Sequence, residues 1–192
     1  MNLRSAVFAT GLISFISGVV SATRADPVDD KAAMCAACHG QAGIPVSKEI
    51  PVIWGQQEGY LYLQLRDFKS GARANEIKSS MVANLSRDDM LALAAYFASK
   101  PWPDLGQPRA SGADATRAQT ARASVGCPAC HSDRFQGDGT VPRVAGQSAA
   151  YLAKTLSDFR TGARANNPGM SSFVRAISEA DLAALEKYLA GL

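Results

Sequence analysis

Two pentads contain every cysteine and every histidine of the chain: Cys35-Ala36-Ala37-Cys38-His39 and Cys127-Pro128-Ala129-Cys130-His131. Thiols separated by two residues lie on one helical turn, where they can add to the two vinyl groups of a haem, and the histidine that follows then faces the iron. The expected chemistry is two covalently bound haem c groups, attached through Cys35, Cys38, Cys127 and Cys130, with His39 and His131 as proximal iron ligands. Other uses of paired cysteines fit less well. A zinc ribbon sets its pairs about 15 to 20 residues apart, whereas 88 residues separate Cys38 from Cys127. A thioredoxin-like dithiol needs a βαβ setting, of which the sequence shows no sign, and it gives no reason for a histidine after each pair.

With both histidines used on the proximal side, the distal ligands must be of another type. Methionine is the usual choice, a soft thioether that favours ferrous iron and raises the potential. From the proline-rich segment to the C-terminus there is a single methionine, Met170, in the stretch Asn166-Asn167-Pro168-Gly169-Met170. The first half offers Met34, Met81 and Met90. Met34 adjoins Cys35 and is tied to the proximal side, and Met90 falls on an apolar helix face, where core packing explains it. Met81, in a loop-like stretch as Met170 is, is the expected distal ligand. A proximal histidine also needs an acceptor that fixes its ring. The carbonyls of Pro51 and Pro142, 12 and 11 residues after their histidines, are candidates, although a plain rigid turn fits the same spacing. Tyr60, Tyr151, Trp54, Arg73 and Arg164 are placed either to cover a haem and meet its propionates or simply to pack and face solvent.

The elements that must position these residues recur. At a shift of 91, thirteen of the twenty-five residues from Pro51 to Asn75 are identical to those from Pro142 to Asn166, among them Gly55-Gln56, Tyr60-Leu61 and Gly71-Ala72-Arg73. At a shift of 92, Ser86, Asp89 and Tyr96 fall on Ser178, Asp181 and Tyr188. A repeat of this length is a duplicated domain. Each copy predicts three helices: one running into the pentad (29–37 and 113–129), one over 58–70 or 148–161, and one opening at Ser86 or Ser178. In the second, Leu61, Leu65 and Phe68, or Leu152, Leu156 and Phe159, lie at i, i+4, i+7. Gly71 and Gly162 are expected C-caps. No alternating strand pattern appears, so the expected class is all-α, with domains at 26–100 and 113–192. The linker, 101–112, has three prolines within Pro101 to Pro108 and reads as a stiff spacer.

Residues 1–25 read as a secretory leader, with Arg4 before an apolar run from Ala6 to Val20 and cleavage expected after Ala25 or Ala22. That run of 15 is shorter than the ~20 residues a span needs, and no later segment is long and apolar enough. Export with no span in the mature chain points to the periplasm, where a peripheral association remains compatible. Twenty basic and seventeen acidic residues are nearly balanced and contain no basic run, which argues against a nucleic-acid partner.

With these motifs in place, the chain resembles the cytochrome c4 family of dihaem cytochromes, built of two class I cytochrome c domains. The likeness covers almost all of residues 26–192 and rests on both CxxCH pentads, the Pro-x-x-x-Gly-Gln segments, the Tyr-Leu and Gly-Ala-Arg pairs, Met81 and Met170. Ser132 departs from it, standing where the first copy has Gly40. The resemblance implies His/Met haems facing each other across a pseudo-twofold contact, proline carbonyls on the proximal histidines, and a monomer passing single electrons between redox partner proteins toward a terminal oxidase. The alternative is a haem enzyme or subunit, such as a thiosulfate-oxidising dihaem cytochrome, with one labile iron ligand.

Overall fold

The computed structural model describes residues 27–192, so the expected leader lies outside the described residues. The first half holds α1 (Pro27–His39), α2 (Glu58–Ser70), α3 (Glu76–Val82) and α4 (Arg87–Ala98). The second holds α5 (Gly112–Ser124), α6 (Pro128–His131), α7 (Ala149–Thr161), α8 (Pro168–Arg175) and α9 (Glu179–Ala190). The only extended pairing among the described residues is a single bridge between Asp138 and Val141.

The long helices form where the apolar spacing places them. Leu61 and Phe68 of α2 are buried against Leu93 and Phe97 of α4, and the N-terminal helix of each half packs on the last, α1 on α4 and α5 on α9. Helices α2 and α7 end as expected at Gly71 and Gly162, both in the left-handed conformation, with φ of 79° and 87°. Two features differ from the sequence reading. The stretches carrying Met81 and Met170 are short helices and not loops, because Asn75 and Asn167 cap them: their side chains accept from the backbone N–H of Lys78 and Met170. The helix expected over 113–129 is broken, since Gly126 has φ of 70° and Pro128 has no N–H to extend α5, so the second pentad sits on the separate turn α6.

Helix α4 opens with a reciprocal capping box, in which Ser86 accepts from the Asp89 N–H and Asp89 accepts from the Ser86 N–H. Lys31 of α1 also bonds the Asp89 carboxylate, and this partner, with the Ser86 bonds, holds the carboxyl down to about 2. A depressed carboxyl contributes stability above its ordinary value and loses it as pH falls through the folded value, so this contribution fades between about pH 4 and pH 2. Ser86→Ala is expected to cost about 1 kcal/mol in denaturant unfolding at neutral pH. A loss indistinguishable from zero would show that α4 does not depend on its cap.

The proline-rich segment is not a free spacer. The Gln107 amide donates to the carbonyls of Gln147 and Ala190 and accepts from the Ala149 N–H, and Arg143 stacks over the Trp102 ring at 4.4 Å. The repeated glycines admit this strap. A Cβ at Gly55 would stand 2.9 Å from the Trp102 backbone nitrogen, and one at Gly146 would stand 3.1 Å from Trp102 Nε1.

The halves meet through paired glutamines. The Gln56 amide donates to the Arg143 carbonyl at 2.8 Å and accepts from the Arg143 N–H at 2.7 Å. Gln147 does the same to Val52, at 3.0 and 2.8 Å. Both side chains are buried, and the 91-residue shift maps each pair onto the other.

Candidate functional site

The two pentads, although built on different helices, place their histidines alike. The His39 Nδ1 lies 2.7 Å from the Pro51 carbonyl oxygen and the His131 Nδ1 lies 3.0 Å from that of Pro142. A carbonyl only accepts, so each Nδ1 carries the proton and each Nε2 keeps its lone pair for a metal. Both rings are buried, 4% and 8% exposed. Burial holds both imidazoles neutral, taking His39 down to about 4 with help from the Lys78 charge and against the Pro51 bond, and lowering His131 likewise. Neutral imidazole is the ligand form.

All four cysteines are free, and burial pushes the Cys35 and Cys127 thiols up, so both are protonated at neutral pH. They open on a cavity of ≈ 690 Å³, continuous between the halves, whose walls carry both histidines, all four cysteines, Met81 and Met170. Packed interiors contain few voids larger than a water molecule, so a space of this size inside so small a chain is a site, of the scale that cofactors occupy. Its apolar walls include Leu61, Phe68 and Phe97 on one side and Leu152, Phe159 and Leu185 on the other. Paired thiols, a neutral imidazole and an apolar slot in each half are the donor set of a covalent haem.

The remaining candidates gather where the halves meet. Arg73 donates to the Tyr151 hydroxyl at 3.2 Å and Arg164 to that of Tyr60 at 3.3 Å. The Gln64 side-chain oxygen accepts from Arg73, Arg164 and Asn166, and Asn166 also donates to Asp67. Both guanidiniums line the cavity and could meet carboxylates of a bound group. Trp54 instead packs against the first core. Gly40 and Ser132, which differ between the copies, share a left-handed backbone. A Cβ at Gly40 would fall 1.9 Å from the Ile44 oxygen, whereas Ser132 uses its hydroxyl to accept from the Gln136 N–H.

Sequence reasoning missed two sets of residues. The glutamine clamps were visible only as repeat-matched identities. Lys78 had no motif around it, yet its Nζ lies 2.8 Å from His39 Nε2. Burial pushes this ammonium below its ordinary value, even with the opposing influence of Cys35 and Cys38.

This helical fold, with two histidine-and-dithiol slots on one cavity, defines a dihaem c-type cytochrome. No family model matches the chain. Cytochrome c4 of Azotobacter vinelandii is 38% identical over 180 residues, covering 84% of this chain and 86% of that protein. Cytochrome c4 of Pseudomonas aeruginosa is 37% identical, covering 84% and 85%. A thiosulfate dehydrogenase electron acceptor of Stutzerimonas stutzeri is 36% identical, covering 82% and 78%. Among solved structures, reduced recombinant cytochrome c4 from Pseudomonas stutzeri matches with a TM-score of 0.76 at 33% identity, covering 86% of this chain and 96% of that one. The chain belongs to the cytochrome c4 family and is an electron-transfer protein with two covalently bound haem groups.

Proposed function

We propose that this cytochrome is a carrier without catalytic turnover, exported to the periplasm after loss of a leader near Ala25 or Ala22, where it passes single electrons as a monomer toward a terminal oxidase. In this reading residues 26–100 and 113–192 are the two haem domains and 101–112 the strap between them. Cys35 with Cys38, and Cys127 with Cys130, form the thioether bonds. His39 and His131 bind iron through Nε2, with Pro51 and Pro142 orienting their rings. Met170 is the distal ligand of the second haem. On the first, α3 brings both Met81, the expected ligand, and Lys78 to the cavity. The haem supplies one-electron exchange at iron; the chain holds the iron, excludes water and sets the potential.

The observation that supports this reading is the shared cavity, whose walls carry both histidines and, from α3 and α8, Lys78, Met81 and Met170, enough donors for two protein ligands to each iron. An iron with both axial positions filled has no place for substrate. Among the described residues no helix is long and apolar enough to cross a membrane. Relatives named as electron acceptors of thiosulfate dehydrogenase support a sulfur-oxidising enzyme as one class of donor.

The test is the purified ferric protein with both haems attached. Two low-spin haems per chain, unchanged by cyanide at modest concentration and without peroxidase or thiosulfate turnover, are expected. A high-spin haem that turns over either substrate would favour the enzyme reading instead.

A further inference from the structure

We propose that Lys78, and not Met81, is the distal ligand of the first haem. Three observations carry this. The first is contact: His39 Nε2, the nitrogen left free for iron by the Pro51 bond, has the Lys78 Nζ 2.8 Å away. The second is position in the helix. Asn75 caps α3 by accepting from Lys78 N at 2.9 Å, and Asn167 caps α8 by accepting from Met170 N at 3.0 Å, so Lys78 and Met170 are the same third residue of equivalent helices. The third is register. Beyond these caps the copies align at a shift of 92, as Ser86 with Ser178 shows, and Met170 then falls on Lys78. Met81 falls on Phe173, one turn on, whose side chain is 48% exposed.

The inference rests on His39 being the proximal ligand. The neutral amine gives its lone pair to iron and its proton to solvent, with no electron exchanged. An amine is a harder donor than a thioether and favours ferric iron, so the first haem has the lower potential. The internal order follows: an electron entering through the first haem settles on the second.

The ferric spectrum of the holoprotein decides. The charge-transfer band that marks Met-to-iron ligation is expected at the intensity of one haem per chain, although both are low-spin. Lys78→Met is expected to double the band and bring the two potentials together. Lys78→Ala is expected to open one haem to cyanide, and Met81→Leu to leave both haems low-spin and the band unchanged. A wild-type band worth two haems would overturn the assignment, as would its halving in Met81→Leu. Both of these measurements stand even if the Lys78→Ala chain does not fold. Failure of the underlying reading looks different: His39→Ala would then leave the first haem with its wild-type low-spin spectrum.

Discussion

Replacing Met170 by alanine is expected to strip the second haem of its only sulfur ligand and to leave the first haem as it was. No other methionine follows the proline-rich segment, and both histidines are engaged elsewhere, so the chain has no like replacement nearby. Met170 is half-buried on α8, packed against the second core, and alanine is the strongest helix former, so α8 is expected to persist. The altered haem loses its Met-specific absorption, becomes high-spin or takes cyanide, and falls in potential because a thioether no longer favours ferrous iron. Thioether attachment through Cys127 and Cys130 survives. Met90→Leu is the control: Met90 is buried in the first core on α4, and a swap of similar volume costs under about 1.5 kcal/mol and changes neither haem. Unchanged ligand binding in Met170→Ala would remove Met170 from the site.

The second large effect concerns the chain without its haems. Without haem, the apolar walls of the ≈ 690 Å³ cavity, Leu61, Phe68, Leu152 and Phe159 among them, lose the group they would pack against, in domains whose whole stability is only roughly 5–15 kcal/mol. The short helices cannot offset this, since segments of thirteen residues or fewer are marginal alone. Protein made without haem attachment is therefore expected to lose its cooperative thermal transition and most of its helical circular dichroism. A sharp transition near that of the holoprotein would show that the slots close on themselves and that haem contributes little to folding.

Much of this architecture is legible in the residues. The i, i+4, i+7 rows of α2 and α7, their terminal glycines, and the serines that open α4 and α9 are local signals, and local structure follows them. The pentads and the two prolines mark the proximal side, and the histidine bonds to the Pro51 and Pro142 carbonyls have the geometry such spacing allows. Helices α3 and α8 escaped notice because seven and eight residues are too few to display a period, although Asn75-Glu76 and Asn167-Pro168 are recognisable starts. Matching Met81 with Met170 rests on their surroundings in the sequence, whereas the caps place Lys78 and Met170 at the same position of their helices. The clamps and the packed strap were hidden for a different reason. The clamps join residues 87 and 95 positions apart and the Gln107 bonds of the strap reach 40 to 83 positions, and nothing local announces which buried amide will find which distant backbone.

The paired glutamines also say something about origin. Because Gln56 grips the counterpart of its own Val52, and Gln147 the counterpart of its own Arg143, each half carries a surface complementary to itself. That is the geometry of an isologous dimer, in which one patch meets a rotated copy of the same patch. A single ancestral module could have made all four bonds with a second copy before any duplication joined them. A short tether between two such modules keeps the pair together at high effective concentration. The modules differ at individual positions, as Gly40 and Ser132 do, while Gln56 and Gln147 match and make the same contact.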